Sequence, residues 1–177
     1  FDAAEAVQWG VAEWQGPPEA LERHLHEFLT AVKGNSRVAI RVASIDGADG
    51  LSVIEHWMPH GDSPPLHIHR AEDELFHILE GRLRFRVGVR EFEAGPGETL
   101  LAPKGVAHHY RVVSPEGAHC LTVTRGADFE TMVRSVSRPA TGEGLPDHVV
   151  PDAAMIGALT RACAANGTVL AQVRNAC

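Results

Sequence analysis

Two histidines one residue apart, an acid five positions further on and a lone histidine on a later strand limit this chain more than any other feature. These residues are His67, His69, Glu74 and His108. On an extended strand successive side chains alternate between faces, so the imidazoles of His67 and His69 leave the same side. Glu74 opens the alternating run ELFHILEG after a polar corner, and His108 follows the turn Pro103-Lys104-Gly105. Donors from three strands can meet at one point only if a sheet curls on itself. The pattern therefore predicts a closed, mainly β fold around a single divalent metal ion.

The rest of the chain is compatible with that shape. RVAIRVASI, LSVIEHWMP, the arms of EGRLRFRVGVREFEAGPGE, TLLAP, HHYRVV and AHCLTVT all alternate and are separated by Gly- and Pro-rich turns. Many short strands at close intervals call for a sandwich or a barrel. Parity then sorts the side chains. Phe76 and Ile78 share the face of Glu74, Tyr110 shares that of His108, and Leu83 and Phe85 alternate with Arg82, Arg84 and Arg86. The apolar set Phe76, Ile78, Leu83 and Phe85, with Tyr110 offering a hydroxyl, is the candidate pocket wall. The arginine row reads as a solvated sheet face, with an acidic partner surface as the sharper option. His77, His109 and His119 read as structural.

Helical patterns flank the strands. After Pro17-Pro18, the residues Leu21, Leu25, Phe28, Leu29 and Val32 recur at helical spacing until Gly34. His24 and His26 in that helix lack a ligand partner at i+4, and residues 1–16, with Trp9 and Trp14, read as packed on the domain's outside or on a partner subunit. Phe129, Met132, Val133 and Val136 predict a short helix, 137–148 a Pro/Gly-rich crossing loop, and Asp152 a cap for a last helix bearing Met155, Ile156, Leu159 and Cys163. Gly167 ends that helix, and TVLAQV reads as a closing strand. The division expected is an N-terminal segment and helix over 1–36, a barrel over 37–126 and a helical extension over 127–177.

Composition removes several function classes. At 177 residues with 44% apolar content the chain is one domain able to bury a core. Its formal charge of −7 and the absence of a basic run argue against nucleic acid or an anionic membrane as partner. No apolar run approaches the ~18 residues a membrane span needs. Cys120, Cys163 and Cys177 form an odd set without a close pair, which suits reduced thiols and a cytoplasmic location better than a disulfide framework. Cys120, on an alternating strand, reads as a small core residue. The chain opens on Phe1 rather than methionine and shows no charged-then-apolar leader, which leaves room for residues upstream.

The spacing resembles the two motifs of the cupin superfamily. Gly61, His67, His69, Glu74 and Gly81 meet the first motif in full; Gly97, Pro103, Gly105 and His108 meet the second, whose last position is Val112 in place of asparagine. The resemblance covers about residues 37 to 125 and implies a jelly-roll β-barrel, with flanking helices, holding one metal on His67, His69, Glu74 and His108. The phrases GDSPPLHIHRAEDELFHILEGRLRFRVG and SRPATGEGLP look like single-domain cupins related to quercetin 2,3-dioxygenase. That likeness implies a dioxygenase acting on an enolic or aromatic small molecule with O2, with Glu74 as both ligand and base. A homodimer is expected from the N-terminal segment and an exposed strand edge, which the family commonly pairs across subunits. Three neutral imidazoles and one carboxylate leave a bound divalent ion with a net charge of about +1 and suit iron, manganese, nickel, cobalt or copper. Zinc, which four protein ligands would saturate, is less suited to catalysis there. A metal-dependent isomerase, cyclase or lyase is the second expectation, and a small-molecule-binding module without catalysis the third.

Overall fold

The computed structural model describes residues 36–138, 144–146 and 152–170. The helix expected after Pro17, the residues Trp9, Trp14, His24 and His26, most of the crossing loop and Cys177 lie outside them. Ten strands follow in order: β1 (Arg37–Val42), β2 (Leu51–Met58), β3 (His67–His69), β4 (Glu74–Glu80), β5 (Leu83–Val87), β6 (Arg90–Ala94), β7 (Thr99–Ala102), β8 (His108–Val112), β9 (Ala118–Arg125) and β10 (Thr168–Leu170). Two helices, α1 (Asp128–Val136) and α2 (Ala153–Ala165), lie between β9 and β10. The strands form two five-stranded sheets, ordered β1-β2-β9-β4-β7 and β10-β3-β8-β5-β6. Every pairing is antiparallel, which is the jelly-roll arrangement that the sequence pattern predicts.

Strand parity decides what lies between the sheets. On β9 the even residues Ala118, Cys120, Thr122 and Thr124 are buried, and on β4 Glu74, Phe76 and Ile78 are. From the facing sheet Leu83, Phe85, Tyr110 and Val112 complete one continuous core with Met58, Ala94 and Ala102. Phe76, Phe85 and Tyr110 meet at ring separations of 5.2 to 5.9 Å, within the range where aromatic pairs attract. A second, smaller core joins Ile54 of β2 to Phe129 and Val133 of α1, with Val38 and Ile40 of β1 packed against it, so this helix covers β1 and β2.

The outward residues behave as parity requires. Arg84 pairs with Glu93 of the adjacent strand at 2.9 Å, so the acid opposite the arginine row is supplied by the chain's own β6. His119 hydrogen-bonds Glu55 at 2.6 Å and stacks on Trp57 at 4.7 Å, while His77 hydrogen-bonds Thr99 at 2.8 Å. Cys120 and Cys163 are free and buried, and burial pushes the Cys120 thiol up to about 12, which makes it an inert core residue. Among the described residues no helix is long and apolar enough to cross a membrane.

The segment after the barrel returns to it. Asp152 accepts the Met155 N–H at 2.8 Å and caps α2 as its position predicts. Gly167, at φ +64°, then turns the chain so that β10 pairs with β3, setting Thr168 opposite His69 and Leu170 opposite His67. The C-terminal extension is thus partly a strand of the barrel, adjacent to the two histidines.

Candidate metal centre

Each candidate ligand is placed by a different local device. His67 and His69 lie two apart on β3, and the β3–β8 pairing sets His67 directly opposite His108. Glu74 begins β4, between Ala102 of β7 and Thr124 of β9, and reaches the same point from the facing sheet. One donor atom from each of the four side chains lies within 4.8 Å of the others. All three histidine contacts fall on a single oxygen: Glu74 Oε2 is 3.0 Å from His108 Nε2, 3.3 Å from His69 Nε2 and 4.0 Å from His67 Nε2. His69, Glu74 and His108 are 2–3% exposed, while the His67 side chain keeps 12% exposure and marks the open side.

The outer nitrogens show which way the lone pairs point. His67 Nδ1 lies 2.8 Å from the Pro65 carbonyl and His108 Nδ1 lies 2.9 Å from the Val106 carbonyl. A carbonyl only accepts, so each Nδ1 must carry the proton and each Nε2 turns its lone pair inward. The Thr168 hydroxyl donates to the Asn166 carbonyl at 3.4 Å, which leaves its oxygen to accept from His69 Nδ1–H at 3.3 Å. His69 Nε2 is buried and, among the described residues, has no partner in hydrogen-bond geometry, although Glu74 Oε2 lies 3.3 Å away. Three nitrogen lone pairs and a carboxylate facing one point repel one another unless a positive charge sits among them. The donor set, its outer hydrogen bonds and the orphaned nitrogen all fit a divalent transition metal ion.

Protons compete for the same place. Where the inner nitrogens of His108 and His69 take up protons in place of a metal ion, burial still pushes Glu74 upward, but the hydrogen bond from His108 and the positive charge at His69 outweigh it and hold the carboxyl well below the usual range. Burial, reinforced by the charge at His108, pushes His67 down to about 3. His69 moves up: burial opposes its charge, and the carboxylates of Glu74, Glu72 and Asp128 overcome it.

The five pocket-wall candidates all point into the barrel. Phe76 and Tyr110 each sit two residues along from a ligand on the same face, Phe85 is paired opposite Tyr110, and Leu83 and Ile78 lie deeper with no exposure. The aromatic trio therefore forms the layer next to the ligands, about 7 Å along the strands. Tyr110 is kept protonated by burial first and then by the negative charges at Asp62, Cys120 and Glu74, which places its phenol within electrostatic reach of two carboxylates.

Four residues around this centre escaped the sequence reading. Glu72, 2% exposed, accepts the N–H groups of Asp128 and Phe129 at 2.8 and 2.9 Å and so caps α1 from the corner that carries the ligands. A Cβ at Gly126, where φ is +143°, would run into this carboxylate. The helix thus anchored sets the Phe129 ring edge-on to His69 at 5.6 Å. Thr168 is the second, and no local pattern could have found it, because it reaches His69 across 99 residues. His56 and Asp62 are the others. His56 shares the inward face of Ile54 and Met58 on β2, a parity visible in the sequence.

Residues 53–124 match the family model described as Cupin domain. Among solved structures the chain is similar to a predicted oxalate decarboxylase from Thermotoga maritima, at 20% identity and TM-score 0.48, covering 51% of this chain and 79% of that one. It is also similar to KdgF from Halomonas sp., at 16% identity and TM-score 0.47, covering 53% of this chain and 82% of that one. The Cnp3 cupin domain of Schizosaccharomyces pombe matches at 15% identity and TM-score 0.47, covering 59% and 74%. No curated protein matches the chain in sequence. The stretch 53–124 that matches the Cupin domain model contains His67, His69, Glu74 and His108, a cluster that can bind a metal.

Proposed function

We propose that the protein is a metal-dependent dioxygenase of the quercetin 2,3-dioxygenase-like kind, acting on an enolic or aromatic small molecule. The observation that supports it most is the convergence of three inward lone pairs on one oxygen of Glu74, next to the aromatic layer of Phe76, Phe85 and Tyr110. When bound, a transition metal ion would draw an anionic substrate oxygen and supply the one-electron chemistry that O2 requires. The chain's own side chains do the rest. His67, His69 and His108 hold the charge in place. The carboxylate of Glu74, contacted by histidines only at Oε2, offers Oε1 to the proton that the substrate hydroxyl gives up on binding. The apolar layer excludes water, and Tyr110, kept protonated, donates a hydrogen bond.

The test is oxygen uptake by the metal-loaded protein over a panel of enolic aromatics, repeated under strict anaerobiosis. Consumption of O2 in step with substrate supports the reading, and equal turnover without O2 removes it. A second reading keeps the metal as a Lewis acid and makes the enzyme an isomerase, cyclase or lyase. The permanently protonated phenol of Tyr110 favours it, because such reactions need a proton donor beside the polarised carbonyl.

A further inference from the structure

The jelly roll turns one face of each sheet to the core, and the face left outward on the sheet β1-β2-β9-β4-β7 is largely apolar. Register sets Val42 opposite Val53, Val53 opposite Val123, Val123 opposite Leu75 and Leu75 opposite Leu101. One aliphatic side chain from each of the five strands thus forms a single row. None of the five belongs to either buried core. Four are half-buried, and Leu101 is 51% exposed. Two residues along β9 from Val123, Leu121 extends the apolar surface; beyond it Trp57 stacks on His119 and carries the Arg37 guanidinium at 5.0 Å. On the other side of the row Leu51 is 47% exposed. The second sheet differs: its outward residues Arg84, Arg86 and Arg111 lie in register with one another or with Glu91 and Glu93.

A contiguous apolar strip of this kind marks a contact, and its size tells which kind. Five strands are about 19 Å wide, and the distance along β2 from Trp57 to Leu51 is about 20 Å. The face therefore offers about 400 Å2, half of the ~800 Å2 per partner that a stable pair of subunits buries. A single amphipathic helix, about 10 Å across, fits it. The chain has such a segment outside the described residues. The helix predicted after Pro17-Pro18 places Leu21, Leu25, Phe28, Leu29 and Val32 on one side, a stripe about 17 Å long. The turn-forming sequence Gly34-Asn35-Ser36 joins it to Arg37, which opens β1, the edge strand of this same sheet, at the Trp57 end. Three residues span at most about 10 Å, so one end of the helix is tethered beside Trp57, and a chain reversal there lays it back along the strands.

We propose that residues 17–34 dock as an amphipathic helix on the outward face of this sheet, its apolar stripe covering Trp57, Leu121, Val53, Val123 and Leu51. Leu75, in the covered row, follows Glu74 on β4, so the docked helix braces from outside the strand that carries this ligand. The surface then belongs to the folded protein itself rather than to an interface between copies.

The experiment reads hydrogen–deuterium exchange on the full chain at low and at high micromolar concentration. Amides of 21–32 should be protected equally at both. The double substitution Leu25→Asp, Phe28→Asp should speed their exchange at least tenfold while amides of β4 and β9 stay as slow as before. Leu101→Gln together with Val123→Thr should also speed exchange at 21–32, which a helix packed elsewhere would not show; threonine keeps the β-branched shape that the strand favours. Fast exchange at 21–32 in the wild type, protection indifferent to the sheet variant, or protection present only at the higher concentration, as docking of a second copy requires, overturns the proposal.

Discussion

Replacing Asp62 with asparagine should make the protein more stable at neutral pH, and the size of the gain follows from where the carboxylate sits. Burial raises the group from 3.8 to about 6 in the folded state. Below about pH 4 both folded and unfolded chains hold the proton, and the carboxyl contributes its full stability. As pH rises towards 6 the unfolded chain loses the proton first, so stability falls and stays lower beyond the folded value. About two pKa units correspond to about 3 kcal/mol, an upper bound because partial solvent contact screens the charge. Asparagine keeps an oxygen for the Ser36 hydroxyl and has no proton to lose. Urea unfolding of metal-free wild type and Asp62→Asn between about pH 4 and pH 8 should show equal stability at the acid end and a gap of about 1 to 3 kcal/mol in favour of the variant above pH 7. Parallel curves, or a variant less stable at pH 8, would refute the account of a carboxylate held against its solvation.

The remaining predictions concern the ligand shell. Removing the Thr168 hydroxyl with Thr168→Val leaves His69 Nδ1 without its acceptor and should lower metal affinity about 10- to 100-fold in a competitive chelator titration, with the fold kept; unaltered affinity would contradict the assigned role. Glu72→Ala uncaps α1 and strands two N–H groups, which should cost about 1–3 kcal/mol and speed amide exchange at the start of that helix; an unprotected helix in the wild type would argue otherwise. Because metal needs neutral imidazoles and His69 favours its charged form, metal should be released as pH falls from about 8 to about 5, read by dialysis and elemental analysis. Metal retained in full at the acid end would count against an imidazole-based site.

What the sequence discloses and what it hides follow from the range of the interactions. The ligands were legible because each depends on a local device: two-residue parity for His67 and His69, a corner before Glu74, a Pro-x-Gly turn before His108. The inward wall of Phe76, Ile78, Leu83, Phe85 and Tyr110 followed from the same parity. Thr168 was not legible as a partner of His69, since nothing near TVLAQV announces that the strand lies beside HIH. Glu72 read as one of several acids in a polar corner until the fold brought the N–H groups of Asp128 and Phe129 to it. His56 was set by parity on the inner face of a strand beside Ser52, Ile54 and Met58, a signal that alternation alone does not separate from a structural histidine.

Elemental analysis of the protein purified without added metal, alongside His69→Ala and Glu74→Ala, bears most directly on the cluster of His67, His69, Glu74 and His108. About one equivalent of a first-row transition metal in the wild type, and little in two variants that remain folded by circular dichroism, is the expected result. Full occupancy in both variants would show that the ion is held elsewhere.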